Sequence, residues 1–385
     1  MTKKQFLKKW GIGIILPILL IILLYVIQSI LVHFPNVCEG YSKTVFGVLS
    51  FLPVKLSSIV PISLTEVFVV SLVFSAPFLI AWLVIRIVRA CKKKEGKKFF
   101  FRNGRILAWS VAVIYLLFML LHGMNYTRCS LDDELGFGVN HYSVEEVKEA
   151  FVWVVDELNA CRMNCPEDEA GVLTYPDGIE AFLNDMPDIY QNSAKYIPQI
   201  KGNAGRPKPV MLSHYWSYTN IVGMYFPFFG EANINTDLPF PAIPMNVCHE
   251  MSHVHGYAVE NDANLAAMLI GFYSDCPQVR YAAFCEAMDL ILLDLVVAYN
   301  GNNVELDAFL SEHPVCMGYF RDQEAIAEYW EGINPPKIIE QASSAVNDTY
   351  LKANQQDEGE KSYQMPTSTV TDFYMIYVRS QLEGT

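Results

Sequence analysis

The amino-acid sequence predicts a mainly α-helical protein with a small β region (α+β), built from three N-terminal transmembrane helices and a large extracytoplasmic domain. Two observations lead to this prediction. The chain has 385 residues, 52% of them hydrophobic, and its mean hydropathy of +0.21 is high for a protein that lies wholly in water. Charged residues are almost absent from three N-terminal stretches, whereas the rest of the chain shows helical periodicity.

The three apolar stretches cover about 11–32, 67–88 and 106–122. A helix needs roughly 20 apolar residues to cross the hydrocarbon core of a bilayer, and the first two stretches reach that length. The first stretch follows a lysine-rich start, as a cleaved signal peptide would. It is longer than the apolar core of a signal peptide, and no small-residue cleavage site follows it, so we expect a membrane helix.

Charge predicts the orientation of these helices. The loop 89–105 is strongly basic, and basic loops stay in the cytoplasm, so we expect this loop and the N-terminus to be cytoplasmic. Residues 1–123 would then form a membrane anchor, and residues 124–385 an extracytoplasmic domain of a multi-pass membrane protein. The part after residue 105 holds 13 Lys and Arg against 38 Asp and Glu, which argues against a nucleic-acid partner.

The sequence pattern of the outer part predicts helices and one short β region. Ser143 and Glu146 have the spacing of a capping box at the start of an amphipathic helix that continues to about 162. Residues 207–240 are rich in β-branched and aromatic residues and are broken by Gly and Pro, which predicts two or three strands. Further helices are predicted at about 242–255, 260–273, 278–299, 320–330, 335–354 and 367–381. The helix at 278–299 is very apolar, but four charged residues at helical spacing favour a buried core helix over a fourth membrane span.

Seven of the nine cysteines lie in the outer part, where disulfides are permitted. Cys161 and Cys165 are one helical turn apart, which leaves a local bridge between them open. No Cys-x-x-Cys motif is present, so a structural zinc ribbon is not expected.

The stretch "HEMSH" carries the clearest chemical signal. His249 and His253 are four residues apart on a predicted helix, so both imidazoles project from one face and can bind one cation. Glu250 lies to one side of that face, where its carboxylate could hold a water molecule and accept its proton. Zinc in such a site would need one further protein ligand and would keep an open position.

The third ligand decides the class of site. Val259 stands where a metzincin would have its ligand, which excludes that class. Gluzincins place a glutamate on the next helix and, four residues later, a side chain that braces a ligand histidine; here these positions are Glu260 and Asn264. Asp262 and Glu286 remain alternative ligands, whereas His255 falls on the opposite side of the helix.

Several features together resemble the bacterial membrane-protein family known as domain of unknown function 3810. They are the three N-terminal membrane helices, "GMYFPFFGEANIN" before the HExxH motif, the helix after it and the terminal "NDTYLKANQQDEGEKSY". That family usually has Glu-x-Glu-Ala-Asn where this chain has residues 260–264, so the chain departs from the pattern at Asp262. The resemblance implies a zincin-like, zinc-peptidase-like domain of unsettled substrate.

We therefore expect a membrane-anchored zinc metallopeptidase that acts on a protein or peptide substrate. His249, His253 and Glu260 would hold Zn²⁺, and Glu250 would be catalytic. The alternative is a zinc-binding sensor or interaction domain without hydrolytic activity. An intramembrane protease is not expected, because the motif helix is too short to span lipid.

Two finer expectations concern the substrate. A peptide could add as a strand at an edge of the β region, around "EANIN" at residues 231–235. Side chains of a type that could stabilise an oxyanion are Arg280, Tyr281, Tyr350 and Tyr363.

Overall fold

The structure is a computed structural model that describes residues 3–337 and 365–383, together with positions 341, 344, 345, 347–349, 352 and 354. Its described part is mainly helical with one three-stranded sheet, which confirms the predicted fold class. The helix predicted at about 335–354 lies largely outside the described residues.

Among the described residues, three helices are long and apolar enough to cross a membrane, as predicted. They are α1 (Lys3–Leu31, apolar from Gly11), α4 (Leu64–Lys92) and α5 (Gly96–Leu121). The second and third are longer than their apolar runs, because the basic residues of the loop continue both helices. Only residues 93–95 separate α4 from α5.

A helical segment that the sequence did not reveal joins α1 to α4. It consists of α2 (Pro35–Tyr41), a π-helical turn (Ser42–Phe46) and α3 (Gly47–Ile59). This segment packs between the membrane helices and the outer part of the chain.

The start of α4 is joined to the sheet by hydrogen bonds. Ser63 caps the helix, and the carboxylate of Glu231 accepts hydrogen bonds from the backbone N–H groups of Leu64 (3.2 Å) and Thr65 (2.9 Å). The first N–H groups of a helix have no partner within the helix, and a carboxylate there also interacts favourably with the helix dipole. Glu231 thus fixes the start of α4, a candidate membrane span, to the sheet.

The sheet has the order β1–β3–β2, in which β1 (Lys208–Pro209) runs parallel to β3 (Glu231–Ile234) and β2 (Gly223–Phe226) runs antiparallel to it. The expectation that a peptide adds at residues 231–235 is therefore wrong. Both sides of β3 are already paired, because the turn at 227–230 folds β2 back on one side and β1 occupies the other.

Four helices form most of the core. They are α7 (Val144–Met163), α10 (Ile243–Val254), α11 (Glu260–Phe272) and α12 (Pro277–Ala298). The capping box at Ser143 and Glu146 is present. Helix α12 is a core helix rather than a membrane span, and Gly271 allows α11 to approach it so closely that a Cβ there would lie 2.2 Å from the Ala283 methyl.

Shorter helices complete the outer part. Four of them were not predicted from the sequence: α6 (Leu131–Leu135), α8 (Gly178–Ala194), α9 (Ser213–Ser217) and α13 (Asn303–Glu312). Helix α14 (Met317–Gly332) was predicted, at 320–330, and is longer than expected. The C-terminal helix expected at 367–381 is observed as Thr369–Phe373, a π-helical turn Tyr374–Val378 and Arg379–Glu383.

All nine cysteines fall among the described residues, and all are free thiols. The bridge left open between Cys161 and Cys165 does not form. The thiol of Cys165 instead donates a hydrogen bond to the carbonyl oxygen of Cys161, at 3.3 Å.

Candidate metal centre

Helix α10 presents the two histidines and ends directly after them. Pro244 stands in its first turn, where its missing N–H costs nothing. The helix ends before Gly256, whose φ of +90° lies in the left-handed region that glycine tolerates best. The chain then turns within a few residues into α11, so the first residue of α11, Glu260, returns to the histidines.

Three side-chain atoms converge at one point. The Nε2 atoms of His249 and His253 are 3.1 Å apart, and Oε2 of Glu260 lies 3.2 Å from the first and 3.4 Å from the second. Ligands about 2.0–2.1 Å from a tetrahedral metal ion are separated by about 3.3 Å from one another. The spacing of the three atoms therefore fits a shared metal ion, and these residues can hold one.

Hydrogen bonds on the far side of each ring define which nitrogen is free. Nδ1 of His253 lies 2.6 Å from the carbonyl oxygen of Tyr257, which can only accept, so this nitrogen carries the proton. Nδ1 of His249 lies 2.6 Å from Oδ1 of Asn264 and donates in the same way. In the neutral rings both Nε2 atoms then present lone pairs to Glu260, whose Oε2 has no hydrogen-bond partner among the residues that the structure describes. A bound cation would stabilise these three acceptor atoms, which otherwise repel one another at this distance.

The electrostatics agree with this assignment. Burial alone would lower the pKa of His253, but the negative charge of Glu260 and the carbonyl oxygen of Tyr257, which accepts a hydrogen bond from Nδ1, raise it overall. The three side chains thus form a buried site that attracts positive charge, and a metal ion would compete there with protons.

Glu250 lies beside this site and is not one of its three converging groups. Its side chain is buried, the backbone N–H of Tyr225 donates to it, and within the described part of the chain Oε2 has no hydrogen-bond partner. Burial raises the pKa of Glu250 to about 8, with Glu260 adding to the shift and His249 opposing it. A cation nearby would favour the charged form and lower this pKa.

Gly223 makes room for Glu250. A Cβ at position 223 would lie 2.6 Å from Oε1 and 2.7 Å from Cγ of Glu250, which is closer than atoms can approach. Strand β2 therefore forms one wall of the site through its backbone. Gly223 was not predicted as a site residue. A glycine in a strand indicates that another group approaches the backbone closely, but it does not identify that group.

Asp262 and Glu286, the two alternative ligands, are not among the three converging groups. The carboxylate of Asp262 accepts a hydrogen bond from the backbone N–H of Leu131 (2.9 Å), at the start of α6. Burial and the charge of Asp289 raise the pKa of Glu286 to about 7, with His249 opposing the shift, and its carboxylate does not join the three converging atoms. The structure thus brings Glu260, rather than Asp262 or Glu286, to the two histidines.

Other expected residues have different surroundings. His255 is buried and stacks on Tyr190, with ring centroids 4.5 Å apart. Arg280 pairs with Glu157 at 2.8 Å, and the hydroxyl of Tyr281 donates to Asp322 at 2.7 Å, so neither is directed to the histidines. Tyr350 and Tyr363 lie outside the described residues.

Two aromatic residues near the site were not anticipated. The ring of Tyr225 stacks on His253 at a centroid distance of 6.1 Å, and the ring of His122 stands edge-on to His253 at 6.2 Å. Burial lowers the pKa of His122 to about 3, with His253 adding to the shift, so this ring is neutral. His122 directly follows α5. A histidine immediately after an apolar run is the sequence feature that could have marked this residue as a candidate for the site.

Comparisons with known proteins identify a family and no activity. The family described as "Protein of unknown function (DUF3810)" matches residues 41–369. A search of curated proteins and a search of solved structures give no match.

Proposed function

Because the chain belongs to the family described as "Protein of unknown function (DUF3810)", which carries no assigned activity, we propose a function from the site itself. We propose that the protein is a membrane-anchored zinc metallopeptidase that hydrolyses a protein or peptide substrate outside the cytoplasm. The observation that carries the proposal is the buried Oε2 of Glu250, which has no hydrogen-bond partner among the described residues and lies beside three converging groups that can hold a metal ion.

Zinc is the metal that we infer from the donor set. Two imidazoles and one carboxylate, with an open fourth position, are typical of catalytic zinc sites in peptidases, whereas magnesium and calcium prefer sites made of oxygen donors. When bound, zinc supplies a Lewis acid that makes a water molecule nucleophilic near neutral pH and polarises a carbonyl group.

Glu250 performs the proton transfers in this proposal. The water that attacks a peptide carbonyl must lose a proton, and Oε2 of Glu250 has no competing partner for it. The amine that leaves must gain a proton, and the protonated Glu250 can supply it. The N–H of Tyr225 and the close contact with Gly223 hold the carboxylate in place for both steps.

A zinc-dependent sensor without hydrolytic activity is the second candidate. It is favoured by the contact between His253 and His122, because His122 follows the membrane helix α5 directly. A shift of the His253 ring on metal binding would then move His122 and the end of α5, and no reaction would be needed.

Substitutions at neighbouring positions distinguish the two functions. We expect Glu250→Gln to keep the metal and the fold but to lower hydrolysis roughly 100- to 10,000-fold, since an amide cannot accept the proton. His249→Ala should lose the metal, and Glu145→Gln, on an exposed helix surface, should behave as wild type. The measurements are metal content of the purified full-length protein, cleavage of a peptide library and complementation of a deletion strain. Full complementation by Glu250→Gln, together with failure of His249→Ala, would favour the sensor.

We further propose that the loop between α4 and α5 is cytoplasmic and that the metal centre is outside. Basic residues flank this loop at the ends of both helices. Cys91 offers a native label there, since it is the exposed one among the nine cysteines. A membrane-impermeant maleimide should label Cys91 only after the membrane is opened, and Cys91→Ser should remove that label. Labelling in intact cells would reverse the orientation.

A further inference from the structure

Helix α3 has an unusual distribution of side chains. Val48, Leu52, Leu56 and Ile59 recur every three or four residues and form one stripe, in which their exposed fractions are 75%, 61%, 56% and 78%. A soluble protein rarely leaves such a row of large aliphatic side chains in contact with water.

The opposite face of α3 is small and partly polar, and it packs on the outer domain. Ser50, Val54 and Ser57 are buried there. Val54 fits against two glycines, since a Cβ at Gly230 would lie 2.5 Å and one at Gly205 2.9 Å from its methyl groups. The helix thus turns its small residues to the protein and its large apolar residues away from it, the reverse of a helix on a water-exposed surface.

Buried polar groups fix this orientation. The side-chain amide of Asn203 donates to the carbonyl oxygen of Gly47 at 2.7 Å. The ammonium group of Lys208 donates to the carbonyl oxygen of Ser57 at 2.7 Å and also to that of Val60, at the end of the helix. Rotating the helix to bury its apolar stripe would break these bonds and leave the Lys208 charge unpaired in the interior.

The position of α3 indicates what covers the apolar stripe. The helix lies between the end of α1 and the start of α4, two of the three candidate membrane spans. The third span ends beside the first, where the side chain of Gln28 donates to the carbonyl oxygen of Gly123 at 2.8 Å. All three spans therefore have one end on the side of the molecule where α3 lies, which is the level at which they would leave the bilayer.

We propose that α3 is an interfacial helix whose stripe of Val48, Leu52, Leu56 and Ile59 is immersed in the lipid of the adjoining leaflet. With 13 residues it is too short to cross a bilayer, which needs about 20. Lys55 lies within the stripe and is exposed. A lysine at the lipid boundary can extend its charge to headgroup phosphates, whereas in a dry contact between two copies of the chain it would be buried without a partner.

This assignment places the metal centre next to the membrane surface. The π-helical turn that leads into α3 touches the loop between the two ligand-bearing helices, because a Cβ at Gly256 would lie 2.9 Å from the ring of Phe46. Arg128 joins the same parts, since it donates to the carbonyl oxygen of Gly256 (2.9 Å) and to both carboxylate oxygens of Glu39 (2.9 Å each). The proposal does not depend on whether the site is catalytic.

Photocrosslinking of the full-length protein in lipid nanodiscs tests the proposal. The benzophenone amino acid p-benzoylphenylalanine is placed at position 52, with position 304 on α13 as the control, because Val304 is also highly exposed (80%). On irradiation, position 52 should form a covalent adduct with phospholipid, detected by intact mass, and position 304 should not. A covalent dimer in place of the lipid adduct at position 52 would overturn the proposal and assign the stripe to a second copy of the chain.

A second measurement reports depth and does not rely on crosslinking yield. Leu52→Trp and Val304→Trp are compared with the parent in vesicles of brominated phosphatidylcholine. Leu52→Trp should add fluorescence that is quenched, most strongly by bromines close to the headgroup, and Val304→Trp should add fluorescence that is not. Equal, weak quenching of the two added tryptophans would show that position 52 faces water, and the proposal would be wrong.

Discussion

Nδ1 of His249 lies 2.6 Å from Oδ1 of Asn264, so a hydrogen bond joins the two helices that carry the converging groups. This bond orients the imidazole and directs its Nε2 towards His253 and Glu260. Asn264 is a neutral amide, so it fixes the ring and polarises it less than a carboxylate would.

Removing this brace should weaken metal binding. Asn264→Ala should lower metal affinity by roughly 10- to 100-fold, measured by competition with a chelating dye, because the ring of His249 loses its fixed orientation. Asn246→Ala is the matched control, since its amide donates to the carbonyl oxygen of Ala242 on the same helix as His249. Equal affinities for the two variants would contradict the role of Asn264.

The two acids at the start of α11 should respond differently to amide substitution. Glu260→Gln removes a converging carboxylate and should lower metal affinity more than about 100-fold, beyond the effect of losing a neighbouring brace. Asp262→Asn should retain the metal, because an amide oxygen can still accept the hydrogen bond from Leu131. Metal content after dialysis checks both variants, and the opposite order would make Asp262 the ligand.

Gly223→Ala should separate metal binding from hydrolysis. The added methyl would lie 2.6 Å from Oε1 of Glu250, so the carboxylate must move, whereas the three converging groups need not. We expect near-normal metal content and a loss of peptide cleavage of about 100-fold, which is within the usual contribution of a general base. Gly332→Ala, with no atom of a described residue within 4 Å of the added carbon, serves as the control. Unchanged cleavage in Gly223→Ala would argue against Glu250 as the base.

The buried Lys208 should make stability depend on pH. Burial lowers the pKa of Lys208 to about 8 from 10.5, with Arg206 adding to the shift and Glu231 opposing it. Between these values the unfolded chain binds a proton that the folded protein does not. The cost of burying the charge is therefore fully present below pH 8 and disappears as the pH rises towards 10.5.

Relative to Lys208→Met, the wild type should gain stability over this pH range, by at most about 3 kcal/mol. Urea unfolding of both proteins in detergent at several pH values measures the difference. Because the comparison is between two variants, other groups that titrate in the same range cancel. A difference that stays constant with pH would mean that Lys208 remains charged in the folded protein.

The sequence by itself determined what depends on neighbours along the chain. The capping box of Ser143 and Glu146 and the shared face of His249 and His253 follow from helical geometry, in which residues three or four apart meet. The three apolar spans follow in the same way, because the length of a run sets whether it can cross lipid. These interactions need no knowledge of the rest of the fold.

Only the tertiary structure decided which distant groups meet. Glu260 reaches the histidines and Asp262 turns to α6 because the loop after Gly256 sets the rotation of α11, and the spacing of the two acids fits either outcome. In the same way, only the fold brings Gly223 against Glu250. Strand β3 is central rather than at an edge because β1, which comes much earlier in the chain, pairs with its free side. The physical reason is that helix capping and apolar length are local properties of a segment, whereas packing, strand order and the burial of a carboxylate depend on residues that only folding brings into contact.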